Sequence, residues 1–211
     1  MCPLCRQEKT ELFLRERERD FHLCQNCELI FVPPVFFNSR EDEKKRYDCH
    51  QNSPDDAGYR DFLNRLVEPL CRRIKSASSG LDFGSGPGPT LSVMLQEAGH
   101  TMEIYDLYYA PREESLRQQY DFITATEVIE HLREPRETLD CLWSCLRPGG
   151  IFGAMTQRVP EDRSRFSDWY YKNDPTHIVF YSSASLQWLA RHWQSECEEL
   201  SSGVFFIRKP D

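Results

Sequence analysis

The stretch LDFGSGPGPT, residues 81–90, places Gly84, Gly86 and Gly88 at alternate positions behind Asp82. Three such glycines constrain the chain more than any other feature. The backbone must turn sharply and lie close against a neighbour, between the apolar run GLDF and the helical pattern that follows. A short strand that enters a glycine turn and leaves as a helix is a unit of an α/β layer structure. The rest of the chain repeats that alternation. Residues 56–76 set Tyr59, Phe62, Leu63, Leu66, Val67, Leu70 and Ile74 on one helical face, and SASSG ends that helix. Residues 90–98 predict a second helix, closed by Gly99. TMEIYD, YDFITAT and IFGAMT read as strands, residues 136–147 and 183–193 as helices, and GVFFIRK as a terminal strand suited to an antiparallel edge. RPGG is expected to stop the helix at 136–147. The pattern predicts a mostly parallel sheet covered on both faces.

In such a sheet a ligand sits beyond the carboxyl ends of the strands. A dinucleotide would call for G-x-G-x-x-G, with its pyrophosphate on the next helix N-terminus. Here the spacing is G-x-G-x-G, and Pro87 removes an amide that a pyrophosphate would use. The pattern suits a ligand with an uncharged neck beside a ribose. Asp106 ends the next strand, where a carboxylate accepts hydrogen bonds from ribose hydroxyls and favours a cationic or neutral cofactor over a phosphate-bearing one.

Four of the nine cysteines are patterned: Cys2 and Cys5 in CPLC, Cys24 and Cys27 in CQNC. Two C-x-x-C knuckles joined by a hairpin-length segment can offer four thiolates to one tetrahedral zinc. The intervening ELFLRERERDFHL can form the two strands of such a ribbon. Four unrelated core thiols are the competing reading. Cys49, Cys71, Cys141, Cys145 and Cys197 have no such spacing. The 211 residues suit one globular domain with a small appendage, and the formal net charge of −8 gives no general attraction to a phosphate backbone. No apolar run is long enough to span a membrane, and MCPLCRQEK lacks the apolar core of a signal peptide, so a cytoplasmic protein is expected.

LDFGSGPGPT, then EIYD, then YDFITATEVIEHL, then LRPGG before a strand, resembles the class I S-adenosylmethionine-dependent methyltransferases over residues 77–211. CPLC…CQNC with KKRYDCHQNSPDDAGYRDFL ahead of the glycine motif resembles bacterial methyltransferases that carry a small zinc ribbon. The resemblance implies a Rossmann-like, mostly parallel seven-stranded sheet. It also implies three regions: a zinc ribbon at 1–34, a linker and capping helix at 35–76, and the methyltransferase domain at 77–211. By the family pattern, Asp82, Gly84, Gly86 and Gly88 wrap the cofactor, Asp106 takes its ribose hydroxyls, and Thr126 and Glu127 lie beside it. Only LYYAPREESLRQQ separates Asp106 from the next strand, so the family's third strand is expected to be short or missing. Leu107, Tyr108 and Tyr109 then either wall the adenine or cover a sheet edge. Tyr47, His50, Asn52 and Tyr59 either cap the cofactor's sulfonium end or lie in a linker. Phe166, Trp169, Tyr170 and Tyr171, in the insertion after the fifth strand, form a substrate wall, a lid or ordinary core.

Methyl transfer asks a protein mainly to align the acceptor, and to take a proton when the acceptor is a hydroxyl or an ammonium. His131 in TEVIEHL and His177 in DPTHI are the candidate bases, with Glu127 and Glu130 beside them. The same groups resemble the E-x-x-E-H plus later histidine of ubiquinone-pathway and small-RNA methyltransferases, which in the latter hold a divalent metal. A purely structural role is the third alternative. The expected function is methylation of a small molecule. An RNA or protein methyltransferase that uses the ribbon for grip, and a non-catalytic cofactor-binding protein, are the alternatives. The mixed RERERD run has no single-sign patch and weighs against nucleic acid.

Overall fold

The computed structural model describes residues 1–49, 52–200 and 203–211. Its larger sheet grows from the alternation seen in the sequence. Strand β4 (Ser79–Phe83) runs into the glycine turn, helix α3 (Thr90–Glu97) follows, and β5 (Thr101–Tyr105) pairs parallel to β4. Strand β6 (Tyr120–Thr126) takes the other side of β4, and β7 (Leu146–Met155) lies parallel beyond it. β10 (Val204–Arg208) returns antiparallel against β7, and β9 (Cys197–Glu199) closes the edge. The order is β5-β4-β6-β7-β10-β9. Among the described residues no strand lies outside β5; only an Asp106–Ala110 bridge and a short 3₁₀ turn at Glu113–Arg117 fill that stretch. Among the described residues this sheet has six strands rather than seven, the family's third strand being the missing one, as its short connection predicts.

Two details depart from the sequence pattern. RPGG does not stop a helix. α4 (Pro135–Ser144) ends before it, and β7 runs through it with a register shift between Tyr120 and Phe122 of its partner. β9 was not foreseen, because CEE has neither apolar alternation nor turn signals to mark it.

Period-2 alternation sends successive side chains of β7 and β10 to opposite faces. Ile151, Met155, Val204 and Phe206 meet Leu63, Leu66, Val67 and Leu70 of α2 (Ala57–Cys71) and Leu91 and Leu95 of α3. Phe152, Ala154, Phe205 and Ile207 meet Leu139 and Leu142 of α4 and Leu186 and Leu189 of α5 (Ser183–His192). Asp56 caps α2 by accepting from the Tyr59 amide at 3.1 Å, and Ser182 with Ser185 forms a capping box on α5.

The second sheet is built on the cysteine-bearing hairpin, β1 (Thr10–Arg15) and β2 (Asp20–Cys24), with β3 (Ile30–Phe31) beside it. Its fourth strand comes from far along the chain: β8 (Val179–Phe180) pairs antiparallel with β3, Ile30 opposite Phe180. Leu4, Phe21, Leu29 and Ile30 share one continuous core with α4 and α5. Helix α1 (Arg40–Tyr47) then carries the chain from this sheet toward α2.

Candidate functional site

Gly84 sits at φ +75°, and a side chain there would run into Val128. A Cβ on Gly88 would stand 1.7 Å from the Asn52 carbonyl oxygen. These two glycines let the turn curl against both the end of β6 and the 52–56 segment. Asp106 holds the turn shut: its Oδ2 accepts from the Gly86 amide at 2.9 Å, and its Oδ1 from the Tyr108 and Tyr109 amides at 2.8 and 3.0 Å. A carboxylate has about four lone-pair positions, so this leaves one for a ligand hydroxyl. Asp82 is buried beneath the turn, accepting from Ser92 and Thr124. Burial pushes its carboxyl up to about 6, against those two hydroxyls, which pull it down.

Beyond the carboxyl ends of β4, β5 and β6 lies a cleft of about 920 Å³, large enough for a cofactor and a small acceptor. Asp82, Gly84, Gly86, Gly88, Asp106, Leu107, Thr126 and Glu127 all line it. Tyr47, Asn52 and Tyr59 line it from α1, the following segment and α2, whereas His50 lies outside the described residues. Tyr108 and Tyr109 also reach the wall, and their hydroxyls tie α1 down through Glu43 at 2.8 Å and Asp48 at 2.6 Å.

His131 and His177 both line the cleft, their rings 4.7 Å apart. Each imidazole is oriented by a backbone carbonyl on its Nδ1: Thr176 O at 2.9 Å for His131, Tyr171 O at 2.7 Å for His177. A carbonyl only accepts, so each ring carries its proton on Nδ1 and leaves Nε2 as an acceptor. Burial lowers both; His177 falls to about 4, with His131 adding to the effect.

The helical turn expected over TEVIEHL is a single 3₁₀ turn at Ile129–His131, and Glu127 before it sits at φ +53°, a conformation that costs a non-glycine residue about 1 kcal/mol or more. Glu127 and Glu130 meet through Tyr171 rather than along a helix face. The Tyr171 hydroxyl contacts Glu130 Oε1, Glu127 Oε2 at 3.2 Å and Thr156 Oγ1 at 3.2 Å. One hydroxyl proton serves only one acceptor, so the cluster is satisfied only when a carboxyl is itself protonated. Burial first, then the neighbouring Glu130, raises Glu127 to about 8, and burial raises Glu130 to about 7. Glu130 Oε2 is buried without a hydrogen-bond partner, and donor atoms of Glu130, His131 and His177 lie within 4.8 Å of one another. Tyr171 was visible in the sequence only as one ring in an aromatic run. Glu43, buried with Arg40, Arg133 and Tyr108 around it, gave no sequence signal.

The four patterned cysteines converge. Their sulfurs lie within 4.8 Å of one another, with Cys2–Cys27 at 3.7 Å and Cys5–Cys24 at 3.4 Å. Four thiolates about 2.3 Å from a tetrahedral zinc would be about 3.8 Å apart. The two knuckles are alike. Arg6 and Glu28, each just after the second cysteine of its pair, sit at φ 61° and 60°, and their amides donate to Cys2 O and Cys24 O at 3.0 and 2.9 Å.

A family model described as a methyltransferase domain matches residues 52–200. A ubiquinone biosynthesis O-methyltransferase of Pseudomonas savastanoi pv. phaseolicola is 26% identical over 84 residues, 39% of this chain and 36% of that protein. One of Pseudomonas entomophila is 25% identical over 97 residues, 46% of this chain and 41% of that protein. The matches thus span well under half of these relatives. Among solved structures, the Burkholderia thailandensis 1,6-didemethyltoxoflavin-N1-methyltransferase, with bound 1,6-didemethyltoxoflavin and S-adenosylhomocysteine, superposes with a TM-score of 0.57 at 16% identity, covering 95% of this chain and 100% of that one. An O-methyltransferase family protein from the same organism gives 0.51 at 14% identity, over 80% and 63% of the two chains. At these identities the structural likeness is one of fold.

Proposed function

Because the chain belongs to the methyltransferase-domain family, we propose that it binds S-adenosylmethionine in the cleft and methylates a small molecule. Bound there, the cofactor supplies an already activated methyl group. The turn at Gly84–Gly88 would receive its amino-acid and ribose parts, with Asp106 accepting from the ribose and Asp82, Thr126 and Glu127 beside it. Tyr47 and Leu107 would flank it. His131 or His177 would act as base, taking the acceptor's O–H or N–H proton on Nε2 as the acceptor is methylated. The observation that carries this reading is the pair of imidazoles in the cleft wall, each with Nδ1 committed to a carbonyl and Nε2 held neutral by burial.

A second reading has its own support. The partnerless Glu130 Oε2 beside His131 and His177 offers a donor set for a divalent cation that would grip acceptor hydroxyls. The cysteine cluster would hold a structural zinc, tying the 1–34 ribbon together; with a linker and cap at 35–76 and the catalytic domain at 77–211, this is the organisation we favour.

The test is calorimetry with S-adenosylmethionine, S-adenosylhomocysteine and NAD, followed by turnover on a panel of phenolic, catecholic and amine acceptors. The first two ligands should bind and NAD should not. His131→Ala and His177→Ala should keep cofactor affinity and lose most turnover. Normal turnover in both variants would defeat either form of the proposal. Loss of activity on chelation, restored by magnesium or manganese, would favour the cation over the free base.

A further inference from the structure

Residues 174–178 carry His177 to the cleft, yet among them there is neither helix nor strand. What shapes this stretch comes largely from elsewhere. All five of its backbone carbonyls accept hydrogen bonds: Pro175 O from Asn38 Nδ2 at 3.2 Å, Thr176 O from His131 Nδ1 at 2.9 Å, Ile178 O from the Val32 amide at 2.9 Å. The other two, Asp174 O and His177 O, accept from a single side chain, Arg19, at 2.9 and 3.0 Å. Arg19 also donates to Lys172 O. It sits in the turn between β1 and β2, at the tip of the cysteine-bearing hairpin, half-buried, with its guanidinium over the Phe21 ring at 5.0 Å. From the same tip Glu16 reaches the buried Lys172 ammonium at 2.5 Å.

This is unusual use of a residue from a run as polar as RERERD. Arg17 and Glu18 of that turn are exposed, whereas Arg19 turns inward. Taking a guanidinium out of water is costly unless its donors are met. Here carbonyls meet them at three points of one segment. A planar fork with five donors can bridge separated carbonyls in a way that a single ammonium cannot.

We propose that Arg19 is a positioning residue, through which the tip of the cysteine-bearing hairpin holds the backbone that presents His177 to the cleft. The importance given to His177 rests on the function proposed above; the brace itself does not. Arg46 grips the Asp174 carboxylate from α1 at 2.6–3.0 Å, so the segment is clamped from two sides.

Hydrogen exchange read by mass spectrometry tests this on the full-length protein without a substrate. In Arg19→Ala the amides of residues 172–178, among them His177 N–H on Asp174 O and Ile178 N–H on Glu130 O, should exchange at least about tenfold faster. Peptides over the glycine turn at 81–90 should be unchanged, and adenosylhomocysteine affinity should stay within about twofold. Arg19→Lys should fall between the two. Guanidinium ion, well below denaturing levels, should restore protection to Arg19→Ala, whereas sodium chloride at equal concentration should not. Unchanged exchange at 172–178, a rise shared equally with 81–90, or sodium chloride restoring protection as well as guanidinium does would overturn the proposal. Should Arg19→Ala fail to fold, Glu16→Gln loosens the same brace at Lys172 and should likewise speed exchange at 172–178 but not at 81–90; unchanged exchange at 172–178 would overturn the proposal. Failure of the wild-type protein to bind adenosylhomocysteine would count against the proposed function alone.

Discussion

Replacing Asp106 by asparagine and by alanine separates two jobs of one carboxylate. Its two oxygens accept three backbone amides, from Gly86, Tyr108 and Tyr109, and the residue is only 8% exposed. Asparagine keeps one carbonyl oxygen. Turned toward the two tyrosine amides, it leaves only Gly86 unserved, and its own NH₂ then faces that amide. One unmet buried donor costs about 1–3 kcal/mol. For a chain of this size that is about 2–4 °C of melting temperature per kcal/mol. Alanine leaves all three amides unmet. Water entering the space recovers part of the loss, so a cost near 3 kcal/mol is expected rather than three times the single value. The affinity for adenosylhomocysteine should fall separately, by about 1–3 kcal/mol, because the ribose loses its acceptor and the turn its tie; that is about 5- to 150-fold in Kd. Thermal unfolding without ligand and titration calorimetry measure the two effects. An alanine variant that melts with the wild-type protein would show that the backbone bonds contribute nothing. Equal affinity in all three proteins would refute the ribose assignment.

Metal analysis of the wild-type protein should find bound zinc, and Cys24→Ser should lose it and melt earlier; full zinc with unchanged melting would remove the metal from the cluster. Gly88→Ala should abolish adenosylhomocysteine binding while the β-sheet circular dichroism persists, since the new methyl must displace the Asn52 carbonyl; wild-type affinity would mean the turn yields freely. Asp82 is raised to about 6 in the fold, against about 4 in an unfolded chain. Its neutral form is favoured by folding, so that contribution is whole below about pH 4 and is lost as the pH rises through about 6. Asp82→Asn should therefore gain stability relative to wild type across that window, by up to about 3 kcal/mol; parallel pH profiles for the two proteins would refute the shift. Leu66→Ala, beneath the α2 face of the sheet, should cost about 2–5 kcal/mol in denaturant unfolding.

Residues whose role is set by local spacing were legible in the sequence. The glycine turn requires positive φ at Gly84 and Gly86 whatever the rest of the chain does, and the cysteine knuckles announce themselves by an interval. Strands β4 to β7 follow from apolar runs between turn signals. What was not legible depends on distant partners. β9 is paired only because β10 returns beside it, and a three-residue edge needs no pattern of its own. β8 looks like part of a loop until β3 is known to lie alongside. The acid cluster is the plainest case: i,i+3 spacing suggested a shared helix face, but Glu127 takes a left-handed conformation and meets Glu130 through Tyr171, more than forty residues on. No window on the sequence contains that contact. Nor does one separate the inward Arg19 from Arg15 and Arg17 beside it.

The pairing of Ile30–Phe31 with Val179–Phe180 also sets an order of events in the growing chain. The β1–β2 hairpin and its thiols emerge early, and being local they can close within microseconds. The strand that completes their sheet arrives only after most of the larger sheet has been made, and contacts so distant in sequence are slow to form. Until then Phe31 and Val32 have no neighbour on that side, and the cysteines sit in a half-covered hairpin open to solvent oxidants. Nascent and refolding chains are thus most exposed to mispairing at these four thiols, which are buried in the finished molecule.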